Sequence, residues 1–255
     1  MNAPPDAVEK YHAEYPEDFV DLWDRLVGWD ARAKSEGTFF IDLLREHGAR
    51  RVLDAATGTG FHAVALAEAG FDVVAVDGAP TMTAKARQNL AARGLDVPCE
   101  TADWRRLDEA VSGPFDAIVC LGNSFGHLFD PADLAASLAQ FHAALAPGGL
   151  MVIDQRNYDA VLDGTLKNHR SSYCCCGGGA SVDLQLAGPD LVRITYTVGG
   201  DRSNTIETHP WRARTMAEAI AAAGFVDVVT RGDYRLDYDP ATAEFLIHTA
   251  RKPAS

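Results

Sequence analysis

Residues 50–80 read RRVLDAATGTGFHAVALAEAGFDVVAVDGAP. An apolar run, RVLDAA, passes through Asp54 into a Gly-rich turn, DAATGTG. A helical stretch, FHAVALAEAG, closes at Gly70, and a second apolar run ends at Asp77. Short apolar runs bounded by turn signals read as buried strands, and the stretch between them as a crossover helix. That order implies parallel strands joined by a right-handed connection. Gly58 and Gly60 sit where the missing Cβ lets the backbone approach a ligand closely. Asp77, at the end of the second strand, can accept two hydrogen bonds from ribose hydroxyls.

The same rhythm continues outward. TMTAKARQNLAARG is a helix closed by Gly94, and VPCETADW a short third strand. FDAIVCLG is the fourth strand, PADLAASLAQFHAALAPGG a helix stopped at Pro147 and Gly148, and LMVIDQRN the fifth strand. The fold class is therefore α/β: a Rossmann-like, doubly wound, mostly parallel sheet with helices on both faces. After Tyr158 the texture changes. SVDLQLAG, LVRITYTVGG and SNTIETHPW alternate apolar and polar residues, as half-buried antiparallel strands do, and predict a small inserted lobe. TMAEAIAAAGF then reads as a helix, with VDVVTRGD and AEFLIHTARK as closing strands. The division expected is residues 1–48 as an N-terminal arm with helices, 49–160 and 211–255 as the core, and 161–210 as the lobe. Residues 1–20 read as a polar arm that closes over a site. Helices are expected over Phe19–Val27 and Gly37–His47.

The 255 residues are 47% hydrophobic and 23% charged, ordinary for a globular chain. The net charge of −13 opposes binding to phosphate backbones and favours a small-molecule substrate over nucleic acid. No stretch approaches the roughly 20 apolar residues of a membrane span, and the N-terminus lacks a signal pattern. The expectation is a cytoplasmic protein without membrane contact, compatible with a homo-oligomer. Cys99, Cys120 and the run Cys174, Cys175, Cys176 form neither a disulfide framework nor zinc spacing, so no metal is expected and the thiols read as free.

What the Gly-rich loop holds is a choice. A dinucleotide fingerprint wants GxGxxG and tolerates the Ala63 found at its third position. An S-adenosylmethionine loop carries no pyrophosphate and needs no third glycine. There, Asp54 organises the loop or meets the ligand's ammonium group through water. The third strand leads into TADW, where Asp103 can bond an adenine amino group and Trp104 can cover the base or simply pack in the core. CLGNSFGHL places Asn123 after the fourth strand with both donor and acceptor capacity. His127, four residues on, reads as a base, a packing residue or a cofactor contact. Arg156 leaves an apolar run at the end of the fifth strand and needs an anion. A bound carboxylate matches its fork, and Asp154 or Asp159 is the internal alternative.

Taken together, VLDAATGTGF, VDGAPTM, ADW, CLGNSFGHLFD, DQRNYDAVLD and the closing GDY…FLIH resemble glycine N-methyltransferases, and WDARAKSEGTFFIDLLREHGARRVLD resembles the bacterial glycine/sarcosine branch. The resemblance implies S-adenosyl-L-methionine as cofactor, S-adenosyl-L-homocysteine as product, and a small amine or amino acid as substrate. It implies that Trp23, Arg32 and Lys34 hold the methionine end. Ala55 to Gly60, including Thr57 and Gly58, line the cofactor, Asp77 and Gly78 take the ribose, and Asp103 and Trp104 the adenine. Leu121 closes over it with His127 near. Arg156 clamps the substrate carboxylate with Asn123, and Tyr15 reaches in from the arm. The family carries a tyrosine run where this chain has KNHRSSYCCC, Lys167 to Cys176, keeping only Tyr173, and THPW lacks the family's aromatic before proline. Those smaller side chains suit a larger amino acid or hydrazine-like amine as alternative substrate. A cofactor-binding protein without turnover is a further reading, against which the pair Asn123 and Arg156 argues.

Overall fold

The structure, a computed structural model, describes residues 7–165 and 179–254. Four helices come first: α1 (Ala7–Glu14), α2 (Glu17–Val27), α3 (Trp29–Glu36) and α4 (Phe39–Glu46). The alternating core follows as β1 (Arg51–Asp54), α5 (Phe61–Glu68), β2 (Asp72–Asp77), α6 (Pro80–Ala92), β3 (Cys99–Thr101), β4 (Phe115–Cys120), α7 (Pro131–Ala144) and β5 (Leu145–Arg156). After α8 (Tyr158–Leu162) come β6 (Ala180–Gly188), β7 (Leu191–Val198) and β8 (Arg202–Thr208), then α9 (Ala213–Ala222), β9 (Val226–Gly232) and β10 (Phe245–Arg251).

The main sheet runs β3-β2-β1-β4-β5-β10-β9. Pairs from β3 through β5 are parallel, while β10 is antiparallel to both β5 and β9. Strand order reverses between β1 and β4, and the carboxyl ends on either side of such a reversal form a ligand crevice. Alternate residues feed two apolar layers. Leu53, Val74, Val76, Ile118, Met151 and Ile153 face the layer with α7 and α9. Val52, Val73, Ala75, Ala117, Val119 and Val152 face the layer with α4, α5 and α6. Burial on both faces is why these strands read as continuous apolar runs.

The second sheet, β6-β7-β8, is antiparallel, and its inward residues Val182, Val192, Ile194, Val198 and Ile206 join Tyr15, Phe19, Val20 and Leu26 in a third cluster. Two expectations differ from the structure. The polar arm is helical from Ala7, and Tyr15, Phe19 and Val20 are buried, because the inserted sheet gives their apolar faces a partner. The helix expected to run to Pro147 ends at Ala144, and β5 starts at Leu145 with a register shift against β4. Proline is tolerated there because the ladder is already irregular. Among the described residues no helix is long and apolar enough to cross a membrane, and no group of three acidic, His or Cys ligands could hold a metal. Cys99 and Cys120 are buried free thiols; the run Cys174–Cys176 lies outside the described residues.

Candidate active site

β1 carries Asp54 to the reversal point, fully buried, and neither of its carboxylate oxygens makes a hydrogen bond of good geometry. Burial raises its pKa, opposed by His62 and by the nearby Thr57 hydroxyl and Ala56 amide. The loop after it turns through Gly58 (φ +56°) and Gly60 (φ +97°). The two glycines do different work. Gly58 lines the crevice. At Gly60 a Cβ would sit 3.4 Å from Ala86, so that position lets α5 and α6 approach.

Asp77 ends β2 facing the crevice, with Oδ2 accepting from the Gly58 amide at 2.8 Å and Oδ1 from the Ala79 amide at 2.9 Å. Burial raises its pKa against those donors. Oδ1 also accepts from the Tyr11 hydroxyl at 2.8 Å, and the Tyr11 ring lies so close to Gly78 that a Cβ there would meet it at 3.0 Å. Tyr11 thus takes up part of the accepting capacity of Asp77. His12 contacts the Gly78 carbonyl at 2.8 Å. Tyr15 meets His127 Nε2 at 3.0 Å, and Glu14 lies 3.5 Å from the other ring nitrogen.

Two cavities flank Tyr11 and His127, both of which line each of them. One, of about 190 Å³, is bounded by Ala102, Asp103, Trp104, Arg105 and Leu128. There Asp103 caps the 3-10 turn Trp104–Glu109 and is paired with Arg105, which lowers its pKa against burial. Trp104 stacks on Phe125 with centroids 5.3 Å apart and donates from Nε1 to the Ala55 carbonyl at 2.6 Å. It therefore both packs in the core and walls the cavity. Ala55 itself is fully buried beneath the loop.

The other cavity, of about 60 Å³, is lined by Trp23, Arg32, Thr57, Gly58, Asp77, Leu121 and Ser124 among others. The structure separates the two cations assigned to the methionine end. Arg32 is buried in the wall, whereas Lys34 is exposed on α3 and outside that lining. Alternation around the helix could not show which of the two faced inward.

At the ends of β4 and β5, Asn123 has φ +67° and is buried. Its amide donates to the Tyr158 hydroxyl at 2.8 Å and its carbonyl accepts from the Arg156 backbone amide at 2.9 Å, while its own backbone amide donates to Asp154 at 2.7 Å. Tyr158 passes the chain on to Thr208 at 2.9 Å. Asn123 so ties the two strand ends to the inserted sheet. The Arg156 guanidinium is buried over Phe245, 5.1 Å from the ring centre. Asp159, one of its internal alternatives, is paired with Arg212. Segment 167–176, with Tyr173, lies outside the described residues.

A methyltransferase domain model matches residues 52–149. The glycine/sarcosine N-methyltransferase of Halorhodospira halochloris is 45% identical over 96% of this chain and 91% of its own length. That of Aphanothece halophytica is 41% identical over 96% and 92%. The chain belongs to the glycine/sarcosine N-methyltransferase family. It is an N-methyltransferase that uses S-adenosylmethionine as methyl donor. Among solved structures, an S-adenosylmethionine-dependent methyltransferase from Clostridium acetobutylicum superposes with a TM-score of 0.72 at 20% identity, covering 92% of this chain and 98% of that one, and so shares the fold. The residues of this family member fit the cofactor: an orphaned buried carboxylate at Asp54, a buried cation at Arg32, and a glycine floor at Gly58 and Gly78.

Reading the sequence missed Tyr11, His12, Glu36 and His62. Arg32 and Glu36 stand at the i, i+4 spacing of a helix face in opposite charge, a signal that could have found Glu36, whereas Tyr11, His12 and His62 meet partners distant in sequence.

Proposed function

We propose that this enzyme methylates the amino nitrogen of glycine and then of sarcosine. The observation that carries the reading is the full-length likeness at 41–45% identity to two glycine/sarcosine N-methyltransferases. Arg156 and Asn123 at the neighbouring ends of β5 and β4 support it. Nothing in the described residues favours the larger amine: segment 167–176 lies outside them, and His209, the residue before the proline of THPW, packs on Trp211 with ring centroids 4.0 Å apart.

When bound, S-adenosylmethionine supplies a methyl group on a sulfonium whose positive charge makes sulfur a good leaving group. Asp77 would hold the ribose, Ala102, Asp103 and Trp104 the adenine, and Arg32 the amino-acid carboxylate. Asp54 would face its ammonium. Arg156 would pair with the carboxylate of the substrate, and Asn123 fixes the backbone from which that guanidinium extends. The amine needs a free lone pair, not a strong base. The protein's contribution is alignment and exclusion of water. Exclusion falls to α1: Tyr15 on His127 and Tyr11 over Gly78 roof the crevice.

The test is turnover with S-adenosylmethionine against a panel of amines, read by mass. Glycine giving sarcosine and then dimethylglycine supports the reading. A larger amine turned over with glycine inert overturns it.

A further inference from the structure

Arg32 is gripped by a side chain that stands outside the crevice. Glu36, the last residue of α3, is buried, with Oε1 2.5 Å from Arg32 Nε and Oε2 3.0 Å from His62 Nε2. Arg32 and His62 both line the smaller cavity; Glu36 does not. The Arg32 guanidinium also lies over the Phe61 ring at 4.9 Å. One contact fixes its face and the other its Nε edge. A planar fork recognises a carboxylate only when both its position and its plane are set. Glu36 supplies that constraint across two elements, since Arg32 belongs to α3 and His62 to α5.

A carboxylate beside a cation that must itself attract a carboxylate is an expensive choice unless it orients that cation. The Glu36 charge is retained because His62 and Arg32 answer it from both sides. We infer that Glu36 is a positioning residue for the amino-acid arm of the cofactor, turning the Arg32 guanidinium toward that arm's carboxylate. The inference rests on the cofactor placement proposed above. Its rival is a salt bridge that only pins α3 to α5.

Two nucleosides separate them. S-adenosylhomocysteine carries the amino-acid arm; 5′-methylthioadenosine has the same base and ribose without it. Calorimetry on the full chain is expected to show Glu36→Ala weakening S-adenosylhomocysteine about tenfold or more, the cost of a misaligned charged pair, with methylthioadenosine held within about twofold. Glu36→Gln, whose carbonyl can still accept from Nε, should recover most of that loss. Should Glu36→Ala not fold, Glu36→Asp keeps the charge but withdraws it from Arg32, and the same split is expected. Equal weakening of both nucleosides, or of neither, overturns the inference while leaving the cofactor reading in place. Wild-type enzyme that binds neither nucleoside overturns both.

Discussion

At the scale of single residues the sharpest consequences concern Arg156 and Tyr11. Arg156→Ala removes the guanidinium proposed above to pair with the substrate carboxylate and, on the same placement, nothing assigned to the cofactor. KM for glycine is expected to rise about 10- to 100-fold while the dissociation constant of S-adenosylmethionine stays nearly constant. Initial rates and calorimetry check the split, and equal loss of both would refute the carboxylate role. Tyr11 donates to Asp77, the carboxylate proposed above to take the ribose. Tyr11→Phe leaves the ring on Gly78 but withdraws the hydroxyl, so the cofactor no longer displaces a hydrogen bond of about 1 kcal/mol and its affinity should rise about fivefold. Weaker binding in the variant would mean that the hydroxyl serves the ribose instead of standing in for it. Asp77 was legible in sequence because strand ends and glycine turns are local signals. Tyr11 was not, since its partner lies 66 residues away and nothing in YHAEY states what it faces.

At the scale of elements, the β4–β5 junction depends on a residue in the left-handed region. Asn123 tolerates φ +67° better than most side chains and spends its amide on two elements at once. Asn123→Ala should lose about 2–3 kcal/mol in urea unfolding, from buried partners left unsatisfied and from backbone strain. Asn123→Gly should recover only the strain. If Gly restored full stability, the hydrogen bonds would be contributing nothing. The parallel core was readable because strands buried on both faces leave unbroken apolar runs, as in FDAIVC and LMVID. The start of β5 at Leu145 was hidden, since APGG between helix and strand reads as a stop signal for either. The helical character of residues 7–14 was hidden too. α1 is stabilised by contacts with β8 and Gly78, and its own composition is only weakly amphipathic.

For the whole molecule, acid sensitivity follows from two buried groups. His248 is held neutral in β10, with burial pushing its pKa down from 6.5 to about 4. The unfolded chain binds that proton first, so stability is complete above pH 6.5 and falls as pH drops toward 4. Glu36 is held ionised, its pKa lowered from 4.5 to about 2 by His62 and Arg32 against the cost of burial. Its contribution is present above pH 4.5 and is lost as pH falls toward 2. Urea unfolding at a series of pH values should therefore give His248→Gln a flatter profile than wild type between pH 6.5 and 4, and Glu36→Gln a flatter one below 4.5. Coincident profiles would show that these groups titrate alike in both states.

α1 also reaches beyond the crevice. Lys10 pairs with Glu207 at 2.8 Å, and the Glu14 carbonyl accepts from Asn204 at 2.9 Å, contacts that span 197 and 190 residues of sequence. Loops that long are slow to close, so α1 is among the last of the described elements to find its seat. Until β8 has been synthesised, Lys10 and Glu14 lack these partners, and α1 has only part of its seat. Pulse-labelled hydrogen exchange during refolding should accordingly protect the amides of β1, β4 and β5 before those of residues 10–15.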